Sequence, residues 1–315
     1  MGFPVCFALL FLATAAEGAA YDIELDGNLG LAYRRDNLTW NIAGTSTGTN
    51  PNILSELAWN QLHIAELQGE LWARLKQRFI SRLYGATGEI LAGDNQDSDY
   101  SSDNRQGEFS RSNNAAGGRV LDASAGVGYE FRLFDRTVER YAYFAPMIGY
   151  SLHRQNLTMF DGVQTVDPGG TVPRAIDGLD SRYDARWRGG WAGFRFRMEA
   201  SKRRQMTLRF EYHFKARYRG EADWNLRSDL AHPVSFVHEA RGEGFAFEFR
   251  DEFQLSRRWG GVFRFSWQAW TTDPGVDTVF TVDETTGQPS GTQTTRLNNV
   301  NWRSYSFGLQ ARYRY

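Results

Sequence analysis

Residues 206–218 alternate without a break. Met206, Leu208, Phe210, Tyr212, Phe214, Ala216 and Tyr218 fall on one side, and Thr207, Arg209, Glu211, His213, Lys215 and Arg217 on the other. Successive side chains of a strand point to opposite faces, so the segment reads as a β-strand with one apolar and one ionic wall. A soluble sandwich would put the apolar wall in a core and the ionic wall in water. A membrane barrel would put the apolar wall in lipid and the ionic wall in a wet lumen.

The same pattern recurs along the chain. Leu121, Ala123, Ala125, Val127, Tyr129, Phe131 and Leu133 oppose Asp122, Ser124, Gly126, Gly128, Glu130 and Arg132. Phe245, Phe247 and Phe249 oppose Glu248 and Arg250, and Phe263, Phe265 and Trp267 oppose Arg264 and Ser266. At the C-terminus Tyr305, Phe307, Leu309, Ala311, Tyr313 and Tyr315 alternate with Ser306, Gly308, Gln310, Arg312 and Arg314. A last strand ending on an aromatic residue resembles the assembly signal of bacterial outer-membrane barrels. Past residue 20 no segment carries a convincing helical stripe.

Composition narrows the choice. A mean hydropathy of −0.52 and 23% charged residues exclude a helical membrane protein. The aromatic load, 22 Phe, 14 Tyr and 10 Trp, excludes disorder. A net charge of −1 provides no field to attract nucleic acid. Residues 1–20 read as a signal peptide, with an apolar stretch from Phe3 to Ala13 followed by small residues. That segment holds Cys6, the single cysteine, so the mature chain would have no disulfide, thiolate nucleophile or cysteine metal site. The remainder, 21–315, reads as one domain.

Connections alternate in length. Short polar turns are expected near Leu75–Gln77, Phe134–Arg140, Ser201–Arg204 and Ser256–Trp259. Long polar loops are expected at about 43–52, 91–117, 160–186, 221–234 and 272–295. These connections separate ten strands, an even count that puts both termini in the periplasm and the long loops outside. The expected fold is an all-β, transmembrane antiparallel up-and-down β-barrel in the bacterial outer membrane.

Some local sequence resembles the omptins, outer-membrane barrel proteases. Ser55-Glu56-Leu57-Ala58-Trp59, followed by Glu66-Leu67-Gln68-Gly69-Glu70-Leu71, is similar to the family's second strand. Gly149-Tyr150, with Arg154 and Leu157-Thr158-Met159, is similar to the strand leading into its third loop. Asp97-Ser98-Asp99-Tyr100 resembles the family's Asp-x-Asp-Trp, the acidic pair of its active site. The resemblance implies a partner Asp-x-His dyad on the fourth loop, the imidazole serving as general base for a water. That dyad is not matched. Glu221-x-Asp223 has the spacing without a histidine, Asp229-x-x-His232 has the residues with one position too many, and His238-Glu239 would diverge on a strand.

Candidate catalytic residues are therefore Asp97, Asp99, Asp229 and His232. Against that reading, Asp94, Asp97, Asp99 and Asp103 form an ordinary acidic outer loop, and His232-Pro233 a loop-closing turn. The acidic run lacks the glycine turn and closing glutamate of a Ca²⁺ loop, so no metal is expected. Arg195, Arg197, Arg209, Glu211, Lys215, Glu248, Arg250 and Arg264 are expected to plug a narrow lumen with ion pairs rather than line a conduction path. Trp40, Trp59, Trp187, Trp191, Trp267, Trp270 and Trp302 are expected mostly in the interfacial girdles. No cofactor is expected, with lipopolysaccharide only as a structural lipid. Expected partners are outer-membrane lipid, lipopolysaccharide and an extracellular protein or surface ligand. Binding through the outer loops without intact protease chemistry is the favoured function. An omptin-like endopeptidase and a narrow solute channel are the alternatives.

Overall fold

The computed structural model describes residues 23–133 and 141–315. The expected leader with Cys6, and the turn at 134–140, lie outside the described residues. The strands are β1 (Ile23–Ile42), β2 (Ser55–Leu75), β3 (Phe79–Ser102), β4 (Gln106–Tyr129), β5 (Phe131–Leu133), β6 (Ala142–Val166) and β7 (Arg174–Ile176), then β8 (Ser181–Ser201), β9 (Arg204–Asp223), β10 (Phe236–Gln254), β11 (Trp259–Thr272), β12 (Gly275–Val282) and β13 (Pro289–Arg314).

Ten of them close a ring in the order β1-β2-β3-β4-β6-β8-β9-β10-β11-β13, with β13 pairing back on β1 from Asp26↔Arg314 to Ile42↔Leu297. All pairings are antiparallel. β5 and β7 are short additions to β6, and β12 joins β13 and β10 at the outer end. Closure removes the open edges that lipid could not satisfy. Ile23 and Tyr315 lie at the end with the short turns, since the Tyr315 amide donates to the Leu25 carbonyl. In outer-membrane barrels that end is periplasmic.

Strand length departs from the sequence reading. The expected loop at 91–117 is mostly strand: β3 and β4 run 24 residues each and are joined by a three-residue turn, Asp103–Arg105. β6 likewise extends to Val166, β8 begins at Ser181, and the 272–295 connection contains β12. Polar residues here alternate with other polar residues, which hides a strand from a hydrophobicity pattern. Twenty-four residues rise about 80 Å along the strand, and an apolar band is about 25 Å tall. The upper half therefore stands outside the bilayer as a collar.

The apolar wall faces outward, with Leu29, Leu31, Leu67, Leu83, Val127, Ile148 and Leu309 exposed to lipid. Along β9 the alternation holds to Phe214 and then slips. Lys215 has a left-handed φ of 49°, and the β9–β10 register shifts between Gly242 and Gly244. One extra residue reverses every side chain beyond it. Ala216 and Tyr218 therefore turn inward, and Lys215 is exposed instead of joining the lumenal charges.

The tryptophans are a second correction. Of the seven expected mostly in the girdles, only Trp267 is exposed, while Trp40, Trp59, Trp187, Trp191, Trp270 and Trp302 are at most 3% exposed. Five of them (Trp40, Trp59, Trp187, Trp270, Trp302) join Tyr183, Tyr218, Leu57 and Phe236 in one cluster inside the collar. Glycines on adjacent strands make room for Trp191 and Trp270. A Cβ at Gly126 or Gly149, which pair in register, would stand 2.5 or 2.3 Å from the Trp191 ring, and one at Gly244 would meet Trp270 at 2.4 Å.

Below the aromatic cluster the lumen is filled by ions. Arg34 contacts Asp36, Glu66 and Asp122 at 2.6, 3.1 and 2.5 Å. Glu70 holds Arg82 and Arg250, and Glu248 holds Arg209 and Arg264. The expected plug is thus present for the charged residues other than Lys215.

Candidate functional site

The collar opens at its outer end into a mouth built from the β3–β4 hairpin and the loop between β9 and β10. On β3, Asp97 lies in register with Leu57 of β2 and Ser112 of β4, and Asp99 with Ser55 and Ser110. Directly paired residues share a face, so both carboxylates stand on the face that buries Leu57. Ser55 and Ser110 donate hydrogen bonds to Asp99. The hairpin tip is fixed by the β1–β2 loop: the Asn52 amide donates to Asp103 Oδ1 at 2.7 Å, and Asn52 Nδ2 to Asn104 Oδ1 at 3.0 Å.

Desolvation pushes the Asp97 carboxyl well above the usual range, and the neighbouring Asp99 charge adds to it. Desolvation raises Asp99 as well, partly offset by its serine donors. Arg227 of the β9–β10 loop lowers both. The two walls of the mouth are therefore electrostatically linked, with a guanidinium acting on the acid pair.

Asp229 and His232 do not pair with each other. Asp229 accepts a forked pair from Arg227, Nε to Oδ1 at 2.7 Å and Nη2 to Oδ2 at 2.6 Å, which holds its carboxyl below the usual range. His232 instead meets Asp223 at the end of β9, Nδ1 to Oδ1 at 2.6 Å, and its Nε2 faces the Arg227 carbonyl oxygen at 3.2 Å. An Asp–His couple is thus assembled across nine positions of chain, a spacing that no strand periodicity reveals. The loop itself is held by backbone bonds from Ala231 to Phe280 and from Val282 to Asp229. Arg227 escaped the sequence reading, which weighed Asp223 only with Glu221, although Arg227-x-Asp229 has the period-2 spacing of a same-face pair.

His238 and Glu239 diverge as expected, His238 fully buried and Glu239 outward on Arg219. Below the mouth, His238 Nδ1 meets Tyr183 Oη at 2.8 Å, Tyr183 meets Tyr218 at 2.6 Å, and His238 Nε2 approaches Asp277 of β12 at 3.3 Å. His213 is also internal, beside Ser151 and Glu211. Among the described residues no group of three or more His, Cys, Asp or Glu side chains could hold a metal.

The outer membrane protease OmpT from Escherichia coli has a similar structure, with a TM-score of 0.74 and 11% identity, over 95% of this chain and 99% of that one. At that identity the likeness shows the fold alone, an omptin-like barrel. The outer membrane protein OprG from Pseudomonas aeruginosa aligns over 93% of this chain and 95% of its own at a TM-score of 0.31 and 9% identity. No curated protein matches. A family model described as Pom, Protochlamydia outer membrane protein, matches residues 28–314. With that match running from β1 into the last residue of β13, the chain belongs to the Protochlamydia outer membrane protein family, an omptin-like β-barrel of the bacterial outer membrane.

Proposed function

We propose that this barrel binds a polypeptide or surface ligand at its outer mouth and does not hydrolyse it. The carrying observation is His232. One ring nitrogen faces the Asp223 carboxylate and the other the Arg227 carbonyl oxygen, at 2.6 and 3.2 Å. With both ring nitrogens facing protein oxygens, neither is directed at a water, which a general base requires. Arg227 beside the acid pair is permanently cationic and cannot replace it. The mouth thus offers two carboxyls and a guanidinium as recognition groups on a rigid rim. Lipopolysaccharide is proposed only as a structural lipid around the collar.

An omptin-like endopeptidase is the second reading. It is favoured by the raised Asp97 and Asp99 carboxyls on one wall and the Asp223–His232 couple on the other. A narrow channel is disfavoured by the lumenal ion pairs and the aromatic cluster above them.

The deciding experiment presents an immobilised peptide library to the refolded barrel and to an Asp97→Ala/Asp99→Ala variant. Retention without cleavage, weakened in the variant, is expected. Cleavage lost in the variant would establish the second reading. Neither retention nor cleavage by a folded barrel would remove the mouth as the peptide-binding surface.

A further inference from the structure

The periplasmic end of the barrel holds a cavity of about 1070 Å³. Its charge is lopsided. Twelve of the described lining residues are Arg or Lys and five are Asp or Glu, in a chain whose net charge is −1. Two of the chain's three lysines, Lys76 and Lys202, stand there.

Three guanidiniums share one carboxylate at the cavity wall. Glu130 meets Arg197 at 2.9 Å, Arg74 at 3.3 Å and Arg195 at 3.8 Å. Arg195 is 6% exposed, and its Nε has no hydrogen-bond partner. Its guanidinium lies 4.2 Å over the Trp72 ring, and that of Arg197 lies 3.8 Å over Tyr143. Arg250 also lines the cavity with a buried, unpartnered Nε, while Glu70 and Glu252 hold its other nitrogens. Among the described residues Arg195 meets no carboxylate closer than Glu130 at 3.8 Å, beyond hydrogen-bond reach. The ring faces orient these forks but supply no countercharge.

We propose that this periplasmic cavity is a site for a small anion carrying two or more phosphate groups, held by Arg195, Arg197 and Arg250. Guanidinium forks match phosphate oxygens in geometry. Each phosphate brings up to two charges, so a di- or polyphosphate offsets the local excess with fewer groups than a carboxylate would. The volume suits a small molecule. Either a soluble anion or a lipid headgroup carries this chemistry.

The test is calorimetric titration of inorganic pyrophosphate into the full chain, folded in neutral detergent at low salt. Saturable binding at one site per barrel is expected. Arg195→Gln is expected to weaken it about tenfold, the loss of one charge-assisted hydrogen bond. A rim variant at exposed positions, Lys76→Gln/Arg78→Gln/Lys202→Gln, keeps the buried wall intact and is expected to weaken binding as well. Arg174→Gln/Arg182→Gln, exposed at the outer end, should leave it unchanged. Absence of saturable binding by the folded wild type, or equal loss in the outer variant, overturns the proposal. Citrate binding tighter than pyrophosphate overturns the assignment to phosphate. Nanodiscs then separate the sources. Cardiolipin, a lipid with two phosphates, that abolishes pyrophosphate binding where phosphatidylcholine does not identifies a headgroup; equal binding in both identifies a soluble anion.

Discussion

Arg34 of β1 reaches Asp122 of β4 through the barrel interior, Nη1 to Oδ2 at 2.5 Å, across 88 positions of sequence. The same guanidinium forks onto Asp36 and contacts Glu66, while Asp122 also meets His153 Nδ1 at 2.8 Å. One side chain thus holds β1, β2 and β4 at a single level.

Arg34→Met should leave three buried carboxylates without their shared cation. Removing one partner of a buried ion cluster costs about 3–5 kcal/mol. The expected readout is a lower urea midpoint for loss of the heat-modifiable gel band. Adding Glu66→Gln should recover part of the loss, because one uncompensated charge disappears.

Asp97 sets a pH dependence at the mouth. Its folded pKa is raised above the unfolded value of about 3.9. Between those two values the folded state binds more protons, so stability falls as pH rises through that window. Asp97→Asn should stabilise the barrel at pH 7 and have little effect near pH 3.5. A urea titration at the two pH values checks it. Equal stabilisation at both would assign the effect to packing.

The bulge at Lys215 gives a directional prediction. Lys215→Gly removes a left-handed φ strain of about 1 kcal/mol and should be tolerated or mildly stabilising. Deleting Lys215 should turn Ala216 and Tyr218 back toward the exterior. That breaks the Tyr183–Tyr218 hydrogen bond and unburies a tyrosine, for a loss of about 3 kcal/mol. Comparing the urea midpoints of the two variants measures the cost of register rather than of strain.

The buried tryptophans make a spectroscopic prediction. Lipids brominated on their acyl chains should reach Trp259 and Trp267, which are 54% and 40% exposed, and leave most of the emission unquenched. Trp259→Phe/Trp267→Phe should remove nearly all the quenching. Strong residual quenching would return the remaining indoles to the lipid face.

Ring, antiparallel order and lipid-facing belt were legible because the strands between Leu29 and Leu309 alternate apolar with polar residues where one side meets lipid. The collar was hidden by the same logic. Around Asp97 and Ser112 both sides of the strand meet water or polar neighbours, so strand and loop share one composition. The Gly126, Gly149 and Gly244 positions carried an unread signal, since a glycine facing inward on a strand makes space for a large ring on its neighbour. At the mouth Asp97 and Asp99 were singled out only through the resemblance of Asp97-Ser98-Asp99-Tyr100 to the omptin acidic pair. The Asp223–His232 couple was not, because a folded loop brings together residues that no regular period relates.

The β3–β4 hairpin carries Asp97 six residues past Leu91, the last exposed large apolar side chain on β3, or about 20 Å along the strand. Closed into a ring and packed inside with aromatic rings, the collar stands as a post. It presents its rim at a fixed height above the lipid headgroups, and a partner with a short or tethered arm can touch that rim without approaching the bilayer.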